Sequence, residues 1–301
     1  MLDYASLSAL ATVIREGSFE RAARALHVTP SAISQRIRQL EEKVGCALVI
    51  RSQPCLATEA GQRLCHHVDR VRLLEQELHA ALPNIGDHDD ARVALPIAVS
   101  ADSLATWLGP VIADFGAREP VLMEVTVDDQ DFTSEWLRNG AVLAAITGSS
   151  RAASGCDITA LGAMRYIAAA SPAYMQRFFS GGVDATTLAS VPSLVFNAKD
   201  ALQERWVQQL YCAHGAHVAL PRHTLPSPQA FVTAALAGMG WGMHAEALIA
   251  PHLAAGTLVE LAPGTPLDVP LYWQAARAAS TLLAGFSRAV LDAARTSLQV
   301  N

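Results

Sequence analysis

The sequence has no long uncharged apolar run, although about half of its 301 residues are hydrophobic. A membrane-spanning helix needs about 20 consecutive, mainly apolar residues, so no span is predicted. The first four residues, Met1-Leu2-Asp3-Tyr4, also lack the basic and then apolar run of a secretory signal. We therefore expect a cytoplasmic protein that does not contact a membrane.

Cysteine is scarce and scattered. The five cysteines are odd in number and none forms a C-x-x-C pair, which argues against a disulfide framework and fits a reducing compartment. Cys65-His66-His67 is the one cluster that resembles a metal site. Adjacent residues of a helix point in different directions, so a shared ligand geometry is disfavoured. We expect neither a metal nor a cofactor.

Catalytic motifs are also missing. We find no G-x-S-x-G elbow, no H-E-x-x-H and no glycine-rich phosphate loop, so we do not expect an enzyme.

The net charge of −6 does not by itself suggest nucleic acid, but it is unevenly distributed. Residues 1–82 carry 10 Lys+Arg against 9 Asp+Glu, and the remaining residues carry 12 against 19. A locally basic head on an acidic body is consistent with DNA binding at one end.

The first 45 residues have a helical pattern. Gly17 ends one helix, Ser18 is a good N-cap for a second, and a short turn leads to Thr29-Pro30, a cap followed by proline at the first helical position. Two short helices joined by a three-residue turn predict a helix-turn-helix.

The third helix has two unlike faces. At 100° per residue, Ile33, Ile37 and Leu40 lie on one side and face the core. The opposite side carries small or hydrogen-bonding side chains, namely Ser31, Ser34, Gln35, Arg38 and Gln39. An ordinary solvated face is the alternative, but Glu and Lys are more usual there. The pattern therefore favours a helix that enters the major groove.

A wing and a long helix follow. Leu48–Arg51 and Leu56-Ala57 flank a short turn, which predicts a hairpin. Thr58 then caps a helix whose apolar residues recur every three or four positions: Leu64, Val68, Val71, Leu74, Leu78 and Leu82. Such a stripe predicts pairing with a second copy, and packing on its own head is an alternative that can coexist. Residues 83–87 are predicted to be the linker.

From Arg92 onward, short apolar runs alternate with helical stretches. The predicted strands are Val93–Val99, Val121–Val127, Val142–Thr147, Tyr166–Ala170 and Ser193–Phe196. This alternation predicts α/β units with a mostly parallel sheet, in which ligands bind beyond the carboxyl ends of the strands.

The head resembles the LysR-type transcriptional regulators. The matching stretches are Gly17–Leu26, Thr29–Ile37, Leu40-Glu41, Gly45, Leu48, Arg51 and Thr58–Gly61. The rest is similar to the branch that controls export of basic amino acids, the ArgP and LysG regulators. The stretches behind this second likeness are Ser100–Trp107, Gly162–Arg165, Gly238–Gly242 and Leu271–Trp273.

The resemblance implies an α/β protein with an α-rich head. Residues 1–58 would be a winged helix-turn-helix and residues 59–91 a dimerising linker helix and hinge. Residues 92–301 would form a two-lobed effector domain like a periplasmic binding protein, with lobe I at 92–163 and 268–301 and lobe II at 164–267. A homodimer or homotetramer on promoter DNA is expected, with RNA polymerase as a further partner.

By position in the family, a set of head residues is expected to contact DNA. Ser31, Ser34, Gln35 and Arg38 should face bases, and Arg51 and Thr58 should contact phosphates. Thr29 and Pro30, at the start of the helix, belong to the same predicted interface. Arg36 lies on its flank, where a phosphate contact and an ion pair with Glu41 or another acid are both open.

The effector is expected to be lysine or arginine. Its carboxylate suits a helix N-terminus, which the segment Ser100-Ala101-Asp102-Ser103 supplies after a strand. Its ammonium groups need carboxylates, for which Asp102, Asp128 and Asp129 are the candidates. A simple N-cap (Asp102) and a solvated loop (Asp128, Asp129) are the alternatives.

Three further residues bear on the predicted pocket. Thr147 is predicted to supply a hydroxyl, whereas Trp241 and Trp273 are predicted core residues. Some related regulators resemble Glu-Asp-Glu where this chain has Asp128-Asp129-Gln130, so the choice among lysine, arginine and histidine stays open. The competing functions are a LysR-type regulator with a different small metabolite and a solute-binding protein.

Overall fold

The computed structural model describes residues 3–81, 93–130, 133–138, 140–211 and 219–299. The N-terminal head consists of three helices and a two-stranded wing. Their bounds are α1 Tyr4–Glu16, α2 Phe19–Ala25, α3 Pro30–Val44, β1 Val49–Ile50 and β2 Leu56–Ala57. The predicted winged helix-turn-helix is therefore confirmed.

Local signals set the helix ends of the head. Gly17 closes α1 in the left-handed region at φ 64°, where a residue without Cβ is least strained. The hydroxyl of Ser18 accepts the N–H of Arg21 at 3.4 Å, and that of Thr29 accepts the N–H of Ala32 at 3.2 Å. These caps satisfy helix N–H groups that have no intrahelical acceptor.

The head has its own apolar core. Its fully buried members come from α1, from the inner face of α3 and from the start of the wing, and include Leu7, Leu10, Ile33, Ile37 and Leu48. Burying each such side chain contributes about 1.5–3 kcal/mol. The burial of Ile33 and Ile37 fixes which face of α3 points outward.

The long helix α4, Glu59–Ala81, continues from the head. Val68 is only 4% exposed and Leu64 is half-buried, and both pack against the head core. The first part of the predicted pairing stripe thus packs on its own head. The side chains of Leu74 and Leu78, and all of Leu82 and the predicted linker 83–87, lie outside the described residues.

The second region contains nine strands and nine helices among the described residues. The strands are β3 Val93–Val99, β4 Val121–Val127, β5 Ala144–Thr147, β6 Cys156–Ala170, β7 Ser193–Val195, β8 Arg222–Thr224, β9 Gly242–Ala245, β10 Val259–Glu260 and β11 Leu267–Ala276. The helices are α5 Ala101–Ser103, α6 Gly109–Arg118, α7 Thr133–Arg138, α8 Pro172–Phe178, α9 Ala185–Leu188, α10 Leu202–Tyr211, α11 Pro228–Leu236, α12 Glu246–Ala254 and α13 Ser280–Ser297. A π-helical turn, Leu104–Leu108, joins α5 to α6.

The large sheet is mixed, so the prediction of a mostly parallel sheet is wrong. Its order is β10-β6-β11-β5-β3-β4, with β9 also paired to β6. β3 is parallel to β4 and β5, but β11 is antiparallel to β5 and β6, and β6 is antiparallel to β9 and β10. The long strands β6 and β11 run side by side from Cys156 and Ala276 to Tyr166 and Leu267, and so connect the two ends of the region.

The interior of this region is apolar and includes the two predicted core tryptophans. Trp241 is 0% and Trp273 is 3% exposed, and the indole N–H of Trp273 donates to Ser287 Oγ at 3.0 Å. Among the described residues, no helix combines the length and apolarity that crossing a bilayer requires.

Candidate functional site

The outer face of α3 is exposed and polar. Ser31, Gln35, Arg38 and Gln39 are exposed and Ser34 is half-buried, as the helical spacing predicted. Arg38 Nε donates to Glu42 Oε1 at 3.1 Å, with the two side chains 79% and 64% exposed. A pair this exposed contributes about 0–1 kcal/mol, so Arg38 can exchange it for another acceptor at little cost.

Arg36 is half-buried beside α1. The pKa of Asp3 is lowered mainly by a hydrogen bond from Ser6, and the charge of Arg36 adds to this. Glu41 is engaged elsewhere, since its Oε1 accepts the N–H groups of Leu48 and Val49 at 2.8 and 3.3 Å. Glu41 therefore fastens the start of the wing to α3.

The other predicted DNA contacts lie at the ends of α3 and on the wing. Arg51 is exposed, with its guanidinium 5.3 Å from the centroid of the Phe19 ring. Thr29 caps α3 and Pro30 is its first residue. The Thr58 hydroxyl donates to Ala47 O at 2.8 Å and accepts the N–H of Gly61 at 3.1 Å. The Thr58 proton is thus already used inside the head.

A cleft opens at the carboxyl ends of β3 and β4, facing β9 and α12. Its described lining combines polar residues with apolar side chains, and includes Ser100, Ala101, Asp102, Asp128, Asp129, Gln130, Phe196, Asp200, Leu202, Phe231, His244 and Leu248. Five of the predicted effector residues meet there. Carboxylates come from both walls.

The turn after β3 presents a helix start to the cleft. Ser100 caps it: its Oγ accepts the N–H of Ser103 at 3.2 Å and donates to Ser103 Oγ at 2.9 Å. The first N–H groups of a helix have no intrahelical acceptor and attract anions. Here they belong to Ala101 and Asp102. Ser103 is fully buried and supports this turn from behind.

Asp102 accepts a hydrogen bond from the hydroxyl of Tyr166, on the crossing strand β6, at 2.9 Å. Burial raises the pKa of Asp102 to about 6, the hydrogen bond opposes this, and the charges of Asp200 and Asp129 add to the rise. Asp102 is therefore a carboxyl group that titrates close to neutral pH and faces other carboxylates.

Asp128 is held in a different way. Its carboxylate accepts the indole N–H of Trp136 at 3.1 Å, the N–H of Asp129 at 2.8 Å and the ammonium of Lys199 at 3.2 Å. Partial burial acts to raise the pKa of Asp128, but these three hydrogen bonds and the charge of Lys199 lower it overall. Asp128 is therefore ionised and already paired with a cation.

Asp200, which the sequence did not single out, forms the opposite wall. It accepts the N–H groups of Phe196 at 2.8 Å and Leu202 at 3.1 Å, and burial raises its pKa. The signal that would have found it is the one used for Asp128: a polar loop directly after a predicted strand. His244, also missed, is buried, and burial lowers its pKa to about 4, so the ring is neutral at pH 7.

Thr147 does not line this cleft. It is fully buried, donates to Ser149 O at 3.2 Å and accepts the amide of Gln274 at 3.1 Å. It fixes the loop after β5. Within the described residues, no three His, Cys, Asp or Glu side chains are grouped as a metal site.

Comparison with known proteins identifies both regions. Residues 4–62 match the family described as "Bacterial regulatory helix-turn-helix protein, lysR family", and residues 88–295 match the "LysR substrate binding domain". The chain belongs to the LysR family. It is a transcriptional regulator, and the resemblance seen in the sequence is confirmed.

Individual LysR-family proteins are similar along the whole chain. The HTH-type transcriptional regulator ArgP of Pseudomonas aeruginosa is 42% identical over 298 residues, 99% of this chain and 98% of that protein. The crystal structure of ArgP from Mycobacterium tuberculosis is 40% identical, with a TM-score of 0.82 and full coverage of both chains. Full-length LysG from Corynebacterium glutamicum with bound effector Arg is 36% identical, with a TM-score of 0.71, covering 99% of this chain and 100% of that one.

Proposed function

We propose that this LysR-family regulator answers to a basic amino acid, lysine or arginine, and controls the gene for an amino-acid exporter. Residues 1–58 bind operator DNA, residues 59–91 join copies into a homodimer or homotetramer, and residues 92–301 bind the effector. Light scattering of the full chain tests the assembly, and a monomer would contradict it. RNA polymerase is the further partner of this regulator on the promoter.

The observation that carries the effector proposal is the charge of the cleft. Asp102, Asp129 and Asp200 line it in addition to Asp128, whose charge Lys199 offsets, and among the described lining residues there is no Lys or Arg. Carboxylates close together in a partly desolvated site repel one another, and a ligand with two cationic groups relieves that repulsion. The helix start at Ala101 and Asp102 suits the ligand's single carboxylate.

The relatives support the same proposal. One solved relative is a LysG with bound effector Arg, and others of similar sequence are named ArgP. A regulator of this family that binds a different small metabolite is the second candidate. The buried, neutral ring of His244, which also lines the cleft, is compatible with such a ligand.

Ligand-induced stabilisation tests the effector. We expect lysine or arginine at about 100 times its dissociation constant to stabilise the full chain by about 2.7 kcal/mol and so to raise its melting temperature. Alanine and glutamate should have no such effect, because they lack the second cation. Thermal denaturation with each amino acid measures this.

The double substitution Asp128→Asn/Asp129→Asn should reduce that shift strongly. Asp292→Asn, which removes a carboxylate from an exposed ion pair with Arg295, should leave it unchanged. If no basic amino acid stabilises the wild-type chain, the effector is a different metabolite.

Three substitutions test the DNA contacts of the head. Replacing Arg38 or Gln35 with Ala should weaken specific operator binding about 10–100-fold, because a good base contact contributes about 1–3 kcal/mol. Arg51→Ala should weaken specific and nonspecific binding alike and reduce the salt dependence, as expected for a phosphate contact. Fluorescence anisotropy with operator and random DNA measures both.

Arg118→Ala is the matched control, because Arg118 also pairs with an acid one turn away, Asp114, but lies on α6. Equal operator affinity for Arg38→Ala and the wild type would show that another face of α3 meets the bases.

A further inference from the structure

A second cavity of about 590 Å³ lies behind the effector cleft. One wall comes from the π-helical turn before α6 and from the C-terminal residues 297–299. The other comes from the start of α12, and the middle of β6 forms the floor. Small-molecule sites commonly measure about 300–1,000 Å³, so this space is large enough for a metabolite.

The cavity is joined to the effector cleft through shared residues. Ala245 and Leu248 line both spaces, so the end of β9 and the first turn of α12 separate them. The strand β6 passes from one end of the region to the other along the floor. An occupant of this cavity therefore contacts two elements, β9 and α12, that also line the effector cleft.

The lining has one fixed cation and one anion. Arg165 Nε and Nη2 donate to the two carboxylate oxygens of Asp268 at 2.8 and 2.9 Å, which holds the guanidinium in one orientation. Glu246 lies close enough that its charge adds to the rise in the pKa of Arg165, which the hydrogen bonds to Asp268 mainly cause. The bonds to Asp268 use two of the five N–H donors of the guanidinium, so Arg165 can still donate to a ligand carboxylate, and Glu246 can accept from an ammonium group.

The rest of the lining is mainly apolar. Trp107, Met164, Leu248 and Leu298 contribute hydrophobic surface. A ligand for this space therefore has an apolar body in addition to its two charges.

We infer that this cavity is a second ligand site, which takes a neutral α-amino acid with a large apolar side chain, such as leucine, methionine or phenylalanine. The amino acid's carboxylate pairs with Arg165, its ammonium with Glu246, and its side chain contacts the apolar wall. Because the site is separate from the acidic cleft, it does not depend on which effector the cleft binds.

Calorimetry on the full chain, with L-leucine as the probe, tests the site. We expect leucine to bind both the lysine-free and the lysine-saturated protein with one site per chain. Ala250→Trp should weaken leucine binding at least tenfold, because Ala250 is exposed and lines the cavity, so that an indole at this position would occupy the space of the ligand. Ala254→Trp, on the same helix and also exposed but not part of the lining, is the control. Glu246→Gln should weaken leucine binding several-fold while lysine binding stays unchanged.

Three results would overturn the inference: no leucine binding to the wild type, competition between leucine and lysine for one site, or equal leucine affinity in the Ala250→Trp and Ala254→Trp variants. Failure of lysine alone to bind would count against the proposed effector and not against this second site.

Discussion

Asp102→Asn is expected to stabilise the unliganded protein at neutral pH and to weaken effector binding at the same time. The folded protein raises the pKa of Asp102 from 3.8 to about 6, so folding favours the protonated form. The stability that this group contributes is therefore present at low pH and is lost as the pH rises toward 6 and above. A difference of about two pKa units corresponds to up to about 3 kcal/mol.

Asparagine removes the ionisation but keeps an oxygen that accepts the hydrogen bond from Tyr166. We expect the free energy of unfolding of Asp102→Asn to exceed that of the wild type by up to about 3 kcal/mol at pH 7.5, with most of the difference gone at pH 4. Thermal denaturation at both pH values measures this. Effector affinity should fall about tenfold or more at pH 7.5, because a charged hydrogen-bond partner is lost.

The matched control is Asp128→Asn, and its expected effect on the free energy of unfolding at pH 7.5 has the opposite sign. The pKa of Asp128 is lowered, so its contribution to stability is present above the unfolded-state value and is lost as the pH falls. Asp128→Asn should therefore destabilise the unliganded protein at pH 7.5. If Asp102→Asn also destabilises it there, the carboxyl group of Asp102 is not the desolvated acid described above.

The same titration predicts how effector binding depends on pH. A cationic ligand favours the ionised form of Asp102, so binding releases a proton when the pH is near or below 6. The affinity for lysine should be constant above about pH 7 and fall as the pH drops through 6. Asp102→Asn should remove that step, and calorimetry in buffers of different ionisation enthalpy would detect the proton.

The head could be predicted closely because its signals are local. Gly17, Ser18 and Thr29-Pro30 act within one turn of the helix ends that they set, and the burial of Ile33 and Ile37 follows from helical spacing alone. The prediction that α3 has a polar outer face is therefore confirmed. The contacts of that face with bases stay a prediction.

The second region was predicted less well because its pairings are distant in sequence. The prediction found only the last five residues of β6 and missed β11, although these two long strands pair with each other. Their partners are about a hundred residues apart, and apolar runs do not reveal whether a neighbour is parallel. The mixed sheet follows from those pairings.

Only part of the acidic cleft could be predicted, again because some of its contacts join residues that are distant in sequence. Asp102 and Asp128 each follow a strand that the apolar pattern identifies, so their approach could be expected. Tyr166 can donate to Asp102 only because the long strand β6 runs from one end of the region to the other and so brings Tyr166 to the cleft. Thr147 also follows a strand, but its hydroxyl bonds to Gln274 of β11, which the sequence pattern did not reveal.

Gly61→Ala is expected to destabilise the head and to weaken operator binding at least tenfold. A Cβ at this position would lie 2.1 Å from Leu48 O and 3.0 Å from Leu48 C, both backbone atoms that cannot rotate away. The helix α4 would have to move off the wing. That shift would disturb the bond from Thr58 N to Leu48 O at 3.0 Å and the bond from the Thr58 hydroxyl to Ala47 O.

Two effects oppose each other in this substitution. Alanine favours a helix over glycine by about 1 kcal/mol. Overpacking costs about 1–3 kcal/mol, and each disturbed hydrogen bond adds about 0.5–1.5 kcal/mol. The steric cost is larger, so we expect a net loss of about 2–4 kcal/mol from the stability of the head, measured by thermal or urea denaturation. Operator affinity should fall at least tenfold, while lysine-induced stabilisation of the effector region persists.

Gly181→Ala is the control, because a Cβ there meets nothing within 4 Å. Equal stability and operator affinity for Gly61→Ala and Gly181→Ala would mean that α4 is not packed tightly on the wing.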